Sequence, residues 1–448
     1  MKRSFCILVV AFILISMFGM GVYRTTEKSG QNGIIVAQTT TQPKKDVVLT
    51  EMISQGWTNE ADEALAKKFT EETGIKIDRQ IVPAAQYHDL LKAKLNAGEA
   101  PDIFWSQTNP FAIKTELDPE KNCVDFTNEK WVKVMNPQRI PSVSYKGRVY
   151  GLMIWPNSPE FTFFYNRTLF RKLGFLKPPT TYQDFKKICT AILNASITPI
   201  YEFTSQGWHQ VLPFAQIGGR YQELYPGLYD KLNNNQVKFV DIPAMLLVLK
   251  QMKETADLGF YGKDFLANDG TKAVELLATR KVAMTLGNPG LETQIRQAHP
   301  ECKDEFGIFL IPYADNQTYP FNPNGPARFA YKMGKHIDEV KQYFEFLTRK
   351  DNLQYKLDNT PDWTNIDVTV DIKQKWLPME KELMRKIPRS KYKLVLQSGV
   401  KYFNEQWMEV GKDIEAMYIG AITPEQILKN IDDRREKMAK AQGDPAWK

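Results

Sequence analysis

The sequence predicts an α/β fold, and two observations carry that prediction. Short apolar segments alternate with amphipathic helical segments in the order strand, helix, strand, helix, strand over residues 47–105. The chain has 448 residues, of which 43% are hydrophobic and 25% charged, so it is long enough for two or three domains that each bury a core. We therefore expect sheets covered by helices, with a ligand crevice beyond the carboxyl ends of the strands.

The first strand and helix are predicted within residues 47–74. An apolar strand occupies residues 47–53, and Asn59 is placed to cap the following helix, with Asp62 three residues later. Apolar residues recur at helical spacing along it, namely Ala61, Ala64, Leu65 and Phe69. Gly74 can adopt the left-handed conformation that ends a helix.

A second strand and helix lead to a third strand. Ile75, Ile77 and Ile81 alternate as in a half-buried strand, and a helix over residues 86–97 ends at Gly98. Its predicted buried positions are Tyr87, Leu90, Leu91 and Leu95. The third strand occupies residues 102–105. The predicted crevice is then faced by Gln55, Trp57, Ser106, Gln107 and Asn109.

Further α/β elements follow in the remaining chain. A strand is predicted at residues 161–165, Asn166 caps a helix over residues 167–173, and Gly174 ends it. Pro178 and Pro179 introduce a helix containing residues 182–193. The later predicted elements are a helix at 274–277, strands at 282–286, 306–312 and 329–333, and helices at 340–348, 404–419 and 424–440.

The N-terminus predicts export. Lys2 and Arg3 precede an apolar run without formal charge at residues 5–23, which is long enough for either a cleaved signal or a retained anchor. Residues 25–45 are polar and suit a flexible tether or a segment lost on processing. Because Cys6 lies near the start of the run and residues 19–23 contain no cysteine, we do not expect a lipid anchor.

The charge pattern argues against a nucleic-acid partner. The net charge is +7, but residues 1–46 hold six basic and two acidic residues, which leaves +3 for residues 47–448. Both signs are interleaved there, so phosphate backbones find no basic patch. Cys123, Cys189 and Cys302 match neither a disulfide framework nor a metal motif, and the four histidines lack metal-ligand spacing. We expect no metal and no cofactor.

A series of phrases gives the chain a family resemblance. In order along the chain they read AGEAPDIFW from residue 97, YGL from 150, YNRTLFRKLG from 165, PPTTYQDF from 178, IGG from 217 and RKVAMTLGNPG from 280. Each phrase is loose, but their order is specific. The chain resembles the extracellular solute-binding proteins of bacterial sugar importers, the family that includes maltose-binding proteins.

That resemblance implies a two-lobed periplasmic-binding-protein type II fold with discontinuous lobes joined by three crossovers. Residues 47–156 and 313–358 would form the first lobe, residues 157–312 and 359–448 the second, and residues 1–46 the leader or anchor with its tether. It also implies a monomeric, exported binding protein, periplasmic or on the cell surface, and not an enzyme. The protein would close on a saccharide and deliver it to the membrane permease of an ABC importer.

Sugar chemistry selects the candidate site residues. Aromatic rings cover the apolar faces of a sugar, and amides and carboxylates bind its hydroxyls. The resemblance places Trp105 at a cleft tryptophan of the family's first phrase, Trp407 at another on the late helix, and Trp208 where the family has an aromatic residue after a loop. The remaining candidates lie at predicted element ends or crossings and are Gln55, Trp57, Gln107, Asn109, Trp155, Glu160, Asn288 and Trp363. We assign Trp131, Trp376 and Trp447 to structure or surface.

Several alternatives stay open at this point. Thr108 and Asn109 replace an acidic and a basic residue of the family pattern, and its pocket tryptophan is absent around Gly290, so maltodextrin specificity is not implied. The ligand can be a monosaccharide, an oligosaccharide or another solute such as a polyamine. Glu160 and Asp362 motivate a hydrolase with paired carboxylates. Plain core packing is the alternative for each tryptophan.

Overall fold

The structure is a computed structural model that describes residues 47–156 and 161–448. The predicted export segment at residues 1–46 and the candidate Glu160 therefore lie outside the described residues. Among the helices that are described, none is long and apolar enough to cross a membrane.

The first sheet has five strands drawn from distant parts of the chain. Their order is Lys76–Val82, Val48–Ser54, Ile103–Gln107, Pro326–Ala330 and Gly151–Leu152. The first three run parallel, as the strand and helix alternation predicts, and Pro326–Ala330 runs antiparallel to both of its neighbours. The neighbouring helices are Glu60–Thr73, Ala84–Ala97, Ile113–Leu117, Pro119–Asn122, Ile337–Leu347 and Lys350–Asp358, and a small hairpin pairs Ser144–Tyr145 with Arg148–Val149.

The second sheet has four strands in the order Phe306–Phe309, Thr162–Asn166, Val282–Gly287 and Thr198–Tyr201. Thr162–Asn166 is antiparallel to both neighbours, whereas Thr198–Tyr201 is parallel to Val282–Gly287. The helices in this part of the chain are Arg167–Lys172, Tyr182–Asn194, Leu212–Ala215, Gly218–Leu224, Leu228–Asn233, Pro243–Asp257, Ala273–Ala278, Leu291–Ala298, Pro378–Lys386, Leu396–Gly399, Trp407–Tyr418 and Pro424–Ala441.

Each sheet has its own core. The first core includes Phe69, Phe104, Phe126, Phe329 and Phe344. The second core includes Phe163, Phe185, Phe214, Phe309 and Phe403. Both cores combine early and late parts of the chain, so neither lobe can be completed until the chain has crossed between them.

The residues after 359, where the second lobe is predicted to resume, pack in both cores. Trp363, Ile366 and Ile372 pack in the first core, and Met379 packs beside the second sheet. The Asp367 carboxylate accepts a hydrogen bond from Nε of Arg139 at 2.7 Å, which ties this segment to the first core, and the predicted lobe boundaries stay a prediction. The packing therefore changes from one core to the other between residues 372 and 379.

Two crossing segments are joined by a short parallel ribbon. Tyr319–Phe321, which lies between the strands Phe306–Phe309 and Pro326–Ala330, pairs with Tyr392–Leu394. The rings of Tyr319 and Tyr392 stack with centroids 4.2 Å apart. This ribbon connects the chain segments that pass from one sheet to the other.

Local signals predicted the helix ends well. Asn59 and Asp62 form a reciprocal capping box at the start of Glu60–Thr73, and Gly74 ends that helix with φ of 83°. Asn166 caps Arg167–Lys172 as expected. Two predicted buried positions were wrong, since Leu90 and Ile81 are 39% and 55% exposed. Ile81 lies near the end of the edge strand Lys76–Val82, where neighbouring strands cover only one side.

Five charged side chains form a buried network under the first sheet. The Asp62 carboxylate accepts from Lys356 at 2.5 Å and from Nη2 of Arg328 at 3.0 Å. The Glu51 carboxylate accepts from Nε of Arg79 at 2.6 Å. Arg328 lies 3.6 Å from Glu51, so it links the two carboxylates. The network therefore links three strands of the first sheet to one another and to two helices.

Burial and charge act in opposite directions within this network. Burial would raise the pKa of Asp62, but Lys356 and Arg328 outweigh it and hold that pKa below its ordinary value. Burial lowers the pKa of Lys356 despite the opposing effect of Asp62. Removing one member therefore leaves buried charge without compensation.

We expect the Asp62→Asn substitution to lower the free energy of unfolding by about 3–5 kcal/mol, because Lys356 and Arg328 lose a buried partner. Asp78→Asn is the control, since Asp78 is exposed on the neighbouring strand, and its effect should stay within about 0.5 kcal/mol. Urea denaturation of both variants measures the difference. Equal losses in the two variants would contradict the role given to the network.

Candidate functional site

The segment after the strand Ile103–Gln107 contacts the chain that follows the ribbon. The buried Asn109 donates from Nδ2 to the carbonyl oxygen of Gln397 at 2.6 Å, and its Oδ1 accepts from the Phe111 amide at 2.9 Å. Thr108 donates from Oγ1 to the Gly325 carbonyl at 2.9 Å. We call this contact the junction, because it joins the carboxyl end of a first-sheet strand to the segment that leads into the second core.

The junction continues through the short helix Leu396–Gly399. Ser398 accepts from Nδ2 of Asn324 at 2.9 Å and donates to Oδ1 of Asn322 at 2.8 Å. Beside it, Oε1 of Gln397 is buried and has no hydrogen-bond partner. A buried acceptor without a partner is costly, so a ligand hydroxyl placed here would satisfy it.

An aromatic cluster lies on the second core. The rings of Phe161 and Phe203 are 6.0 and 5.7 Å from the Trp208 ring. Trp407 donates from Nε1 to the Trp208 carbonyl at 3.0 Å, which brings together two candidates that are 199 residues apart in the chain. Both indoles are half-buried, so part of each ring surface remains available.

Close backbone packing holds this aromatic cluster. Gly411, one turn into the helix Trp407–Tyr418, lies so near Gly207 that a Cβ would be 1.8 Å from the Gly207 carbonyl oxygen. Beneath the cluster the buried His209 ring is held from both sides. Its Nδ1 lies 2.5 Å from Oε1 of Glu202 and its Nε2 lies 3.0 Å from the carbonyl oxygen of Leu286. His209 is thus a core histidine with a hydrogen-bond partner at each ring nitrogen.

A second aromatic pair lies near the crossings. Trp155 and Trp363 meet edge to face with centroids 5.0 Å apart. Trp155 packs closely on Gly325, where a Cβ would lie 2.9 Å from its Cδ1. Trp363 is buried in the first core, and Lys356 lies 4.7 Å from its ring centroid. This pair is therefore linked both to the junction through Gly325 and to the buried network through Lys356.

Asn288 and Asp362 lie on either side of a tight contact. A Cβ on Gly290 would lie 2.1 Å from the Asp362 carbonyl oxygen, so the segment after the strand Val282–Gly287 touches the segment that holds Trp363. Oδ1 of Asn288 is buried without a hydrogen-bond partner. Burial raises the pKa of the Asp362 carboxyl.

The remaining first-sheet candidates lie near the strand ends. Trp57 is half-buried and packs edge to face against Tyr87, with centroids 5.3 Å apart. Gln55 is exposed, and Gln107 is half-buried at the end of its strand. Each position suits a rim residue, and their contact with ligand stays a prediction.

Trp105 occupies a different place from the other candidates. Its indole is 3% exposed, donates from Nε1 to Oε1 of Glu51 at 2.7 Å and lies 4.0 Å from the Arg328 guanidinium. The indole therefore belongs to the buried network in this arrangement. Its role in ligand binding stays a prediction.

Glu405 is a further candidate site residue that the sequence reasoning missed. Both of its carboxyl oxygens are buried and have no hydrogen-bond partner. Burial, assisted by the nearby Glu116, raises the pKa of Glu405 to about 7, although Arg435 opposes the shift. A carboxylate two residues before a predicted cleft tryptophan, Trp407, was the available signal.

The described residues also bear on metal and thiol chemistry. Among them no cluster of histidine, cysteine and acidic side chains is suited to a metal ion. Cys123, Cys189 and Cys302 are buried as free thiols. Burial raises the pKa of the Cys123 and Cys189 thiols, which makes them poor nucleophiles.

Comparison with known proteins gives a family match and two sequence relatives. Residues 64–381 match the model of a bacterial extracellular solute-binding protein. The melibiose/raffinose/stachyose-binding protein MelE of Bacillus subtilis is 23% identical over 287 residues, which cover 62% of this chain and 64% of MelE, less than two thirds of its length. The multiple sugar-binding protein of Streptococcus mutans is 25% identical over 350 residues, covering 71% of this chain and 76% of that protein.

Solved structures share the fold. A sugar transporter protein from Bacillus licheniformis, in complex with stachyose, superposes with a TM-score of 0.70 at 20% identity and covers 88% of this chain and 100% of its own. A chitin oligosaccharide binding protein gives a TM-score of 0.70 at 17% identity, covering 88% and 99%. These likenesses confirm the predicted two-lobed type II fold.

When the pH rises from 5 to 8, we expect the free energy of unfolding to fall by about 1–2 kcal/mol less in the Glu405→Gln variant than in the wild type. Because the pKa of Glu405 is about 7 in the folded chain and ordinary in the unfolded chain, the folded state binds more protons in that window. The stabilisation that comes from protonated Glu405 in the folded chain is therefore lost as the pH rises. Denaturant unfolding at both pH values measures this.

Glu409→Gln is the control for that experiment, since Glu409 is exposed on the helix Trp407–Tyr418. Its pH dependence should equal that of the wild type. A Glu405→Gln variant that also keeps the wild-type slope would show that Glu405 is not held in a buried, protonated state.

Proposed function

Because the chain belongs to the bacterial extracellular solute-binding proteins, we propose that it is the exported binding component of an ABC importer for a saccharide. It would hold the sugar between its two lobes and deliver it to the membrane permease. ATP hydrolysis by another component of the importer would drive transport. In this proposal it works as a monomer, needs no cofactor and catalyses no reaction. Residues 1–46 would direct export as a signal or as a retained anchor.

One observation carries this proposal: the chain has both half-buried indoles and buried acceptor oxygens that lack hydrogen-bond partners. Trp155 and Trp208 offer ring surface near the crossings and on the second core. Asn288, Gln397 and Glu405 offer oxygen atoms that have no hydrogen-bond partner. A sugar presents apolar C–H faces and hydroxyl donors, so it would satisfy both features at once.

The relatives support the ligand class. MelE is described as binding melibiose, raffinose and stachyose, and a solved structure of the same fold holds raffinose. Those proteins share only 23% and 19% identity with this chain, so they favour a saccharide without fixing which one. The proteins compared are binding proteins, which favours binding over the hydrolase alternative.

The proposed mechanism is closure about the crossings. A sugar first contacts one lobe, and the closed form is then stabilised by the additional contacts that the other lobe makes with it. The ribbon of Tyr319–Phe321 and Tyr392–Leu394 links two of the crossing segments, so in this proposal it would act as part of the hinge. The closed form would be the one that the permease recognises.

We expect a thermal-shift screen of residues 47–448 to reveal a saccharide that raises the melting temperature, following RT ln(1 + [L]/Kd). The panel comprises monosaccharides, melibiose, raffinose, stachyose, maltodextrins and chitin oligosaccharides, with spermidine and amino acids as other solutes. A response to spermidine alone would move the assignment to polyamine uptake. Release of reducing ends from the bound sugar would instead indicate a hydrolase.

For the saccharide that binds, Trp208→Ala should weaken affinity about tenfold or more, which corresponds to about 1.4 kcal/mol or more, because a stacking face is lost. Trp208→Phe should retain part of that affinity. Trp376→Ala is the control, since Trp376 is half-buried outside the aromatic cluster. Calorimetric titration measures all three, and equal affinities for the wild type and Trp208→Ala would remove Trp208 from the site.

A further inference from the structure

One surface segment carries a large excess of positive charge. Residues 381–393 hold six basic side chains and one acidic side chain, so their net charge is +5. Residues 47–448 carry +3 in total, which leaves −2 for everything outside this segment. The interleaved charges expected over this part of the chain are therefore absent here. We call the following side chains the basic segment: Lys381, Arg385, Lys386, Arg389, Lys391 and Lys393.

The helix Pro378–Lys386 presents the first part of the basic segment to solvent. Met379 on this helix is buried and packs beside the second sheet. Lys381 and Arg385 are exposed and lie four residues apart, so they share the side of the helix that faces away from Met379. The exposed Arg389 follows shortly before the chain enters the ribbon, whose strand pairing holds this end in place.

Ion pairs within the molecule do not neutralise the basic segment. Its two carboxylate partners are each shared with an arginine from another helix. The pairs are Lys386–Glu382 at 2.6 Å, Arg167–Glu382 at 3.1 Å, Lys391–Glu223 at 2.5 Å and Arg220–Glu223 at 3.2 Å. With both arginines included, eight cations face two carboxylates. Lys381, Arg385 and Arg389 form no ion pair with the described part of the chain, so their charges are available to an anion outside the molecule.

Apolar side chains lie among these cations. Met384 precedes Arg385, and Ile387 lies between Lys386 and Arg389. Both apolar residues are half-buried and belong to none of the hydrophobic clusters of the fold. Cations beside exposed apolar groups suit the boundary between the headgroups and the acyl chains of a membrane. A soluble polyanion would use the cations alone.

The start of the fold indicates how a membrane comes within reach. The apolar run ends at residue 23 and the described fold begins at Val47, so residues 24–46 separate them. Even a fully extended chain of this length spans no more than about 80 Å, so a retained run would keep the fold within that distance of the membrane. If the run is cleaved, no lipid anchor is expected to replace it, and a docking surface would then supply the attachment.

We propose that the basic segment is a docking surface for an anionic lipid membrane. Lys381, Arg385 and Arg389 bind the phosphate groups of lipid headgroups, and Ile387 contacts the boundary with the acyl chains. No member of the basic segment is a candidate ligand residue, so docking leaves the candidate site unused. The inference goes beyond the proposed function and does not depend on it, because the membrane would be bound with or without sugar.

The test measures sedimentation of residues 47–448 with vesicles. This part of the chain contains both cores, and leaving out the apolar run ensures that binding reports the folded surface. The vesicles consist of phosphatidylcholine alone or of an equal mixture of phosphatidylcholine and phosphatidylglycerol. We expect binding to the mixture only, and we expect about 0.5 M sodium chloride to abolish it, because salt screens exposed charges. Absence of binding to the anionic vesicles at low salt overturns the proposal.

Two triple variants separate the basic segment from net charge. Lys381→Gln, Arg385→Gln and Arg389→Gln together should weaken binding about 100-fold, since each cation near an anionic surface contributes a factor of about five. Lys92→Gln, Lys187→Gln and Lys437→Gln together are the matched control. These lysines are exposed elsewhere, and both variants lower the net charge of residues 47–448 from +3 to 0. Equal losses in the two variants would show general attraction and overturn the docking surface.

Soluble polyanions distinguish a membrane from other acidic partners. Polyglutamate and a double-stranded oligonucleotide should bind more weakly than the anionic vesicles, and Ile387→Ser should weaken vesicle binding about threefold because apolar contact is lost. If a soluble polyanion binds as tightly as the vesicles and Ile387→Ser has no effect, the partner is an acidic macromolecule and not a membrane.

The melting temperature and the sugar response are measured on the same variants. Each variant should melt at the wild-type temperature, which separates lost contacts from lost folding. A sugar that stabilises the wild type should stabilise the Lys381, Arg385 and Arg389 triple variant equally. Loss of vesicle binding alone therefore leaves the proposed function standing, and a wild type that binds anionic vesicles but no sugar leaves the docking surface standing.

Discussion

The buried network of Glu51, Asp62, Arg79, Arg328 and Lys356 is the constraint on which the first lobe depends. Charges removed from water are tolerated only where each finds a partner with good geometry, so the network admits few alternative arrangements. Its members come from residues 51 to 356, which means that it forms only after the chain has returned from the second sheet. The network thereby enforces the discontinuous lobe.

This constraint also positions the site. The network fixes the strands Val48–Ser54, Ile103–Gln107 and Pro326–Ala330 side by side, and their ends carry the polar residues of the junction. It uses the Trp105 indole as a hydrogen-bond donor and cation partner, so the surface toward the second core is supplied by Thr108 and Asn109 instead. Rigid strands hold such residues more accurately than free loops would.

Local features of the sequence predicted much of the fold. Caps such as Asn59 and Asn166, and stops such as Gly74, act within four residues, so they can be recognised without knowing the rest of the chain. The junction could not be predicted in this way, because Asn109 and Gln397 are 288 residues apart. The packing of the segment around Asp367 on the first core could not be predicted locally either, because its bond to Arg139 joins segments 228 residues apart. The aromatic candidates were proposed from the family resemblance and from predicted element ends, whereas Glu405 is marked by neither.

The acceptors without partners explain how a ligand can control closure on the proposed function. Burying the Gln397 amide oxygen and the Glu405 carboxyl oxygens without hydrogen bonds is unfavourable, so on the proposed function the empty protein carries that cost. A sugar that donates hydroxyls to these oxygens while it contacts both lobes would offset the cost, which would give it different affinities for the open and closed forms. A ligand shifts a conformational equilibrium by that difference in affinity and by nothing else. An apolar closing surface would instead favour closure with or without sugar, and the permease could then not distinguish a loaded protein from an empty one.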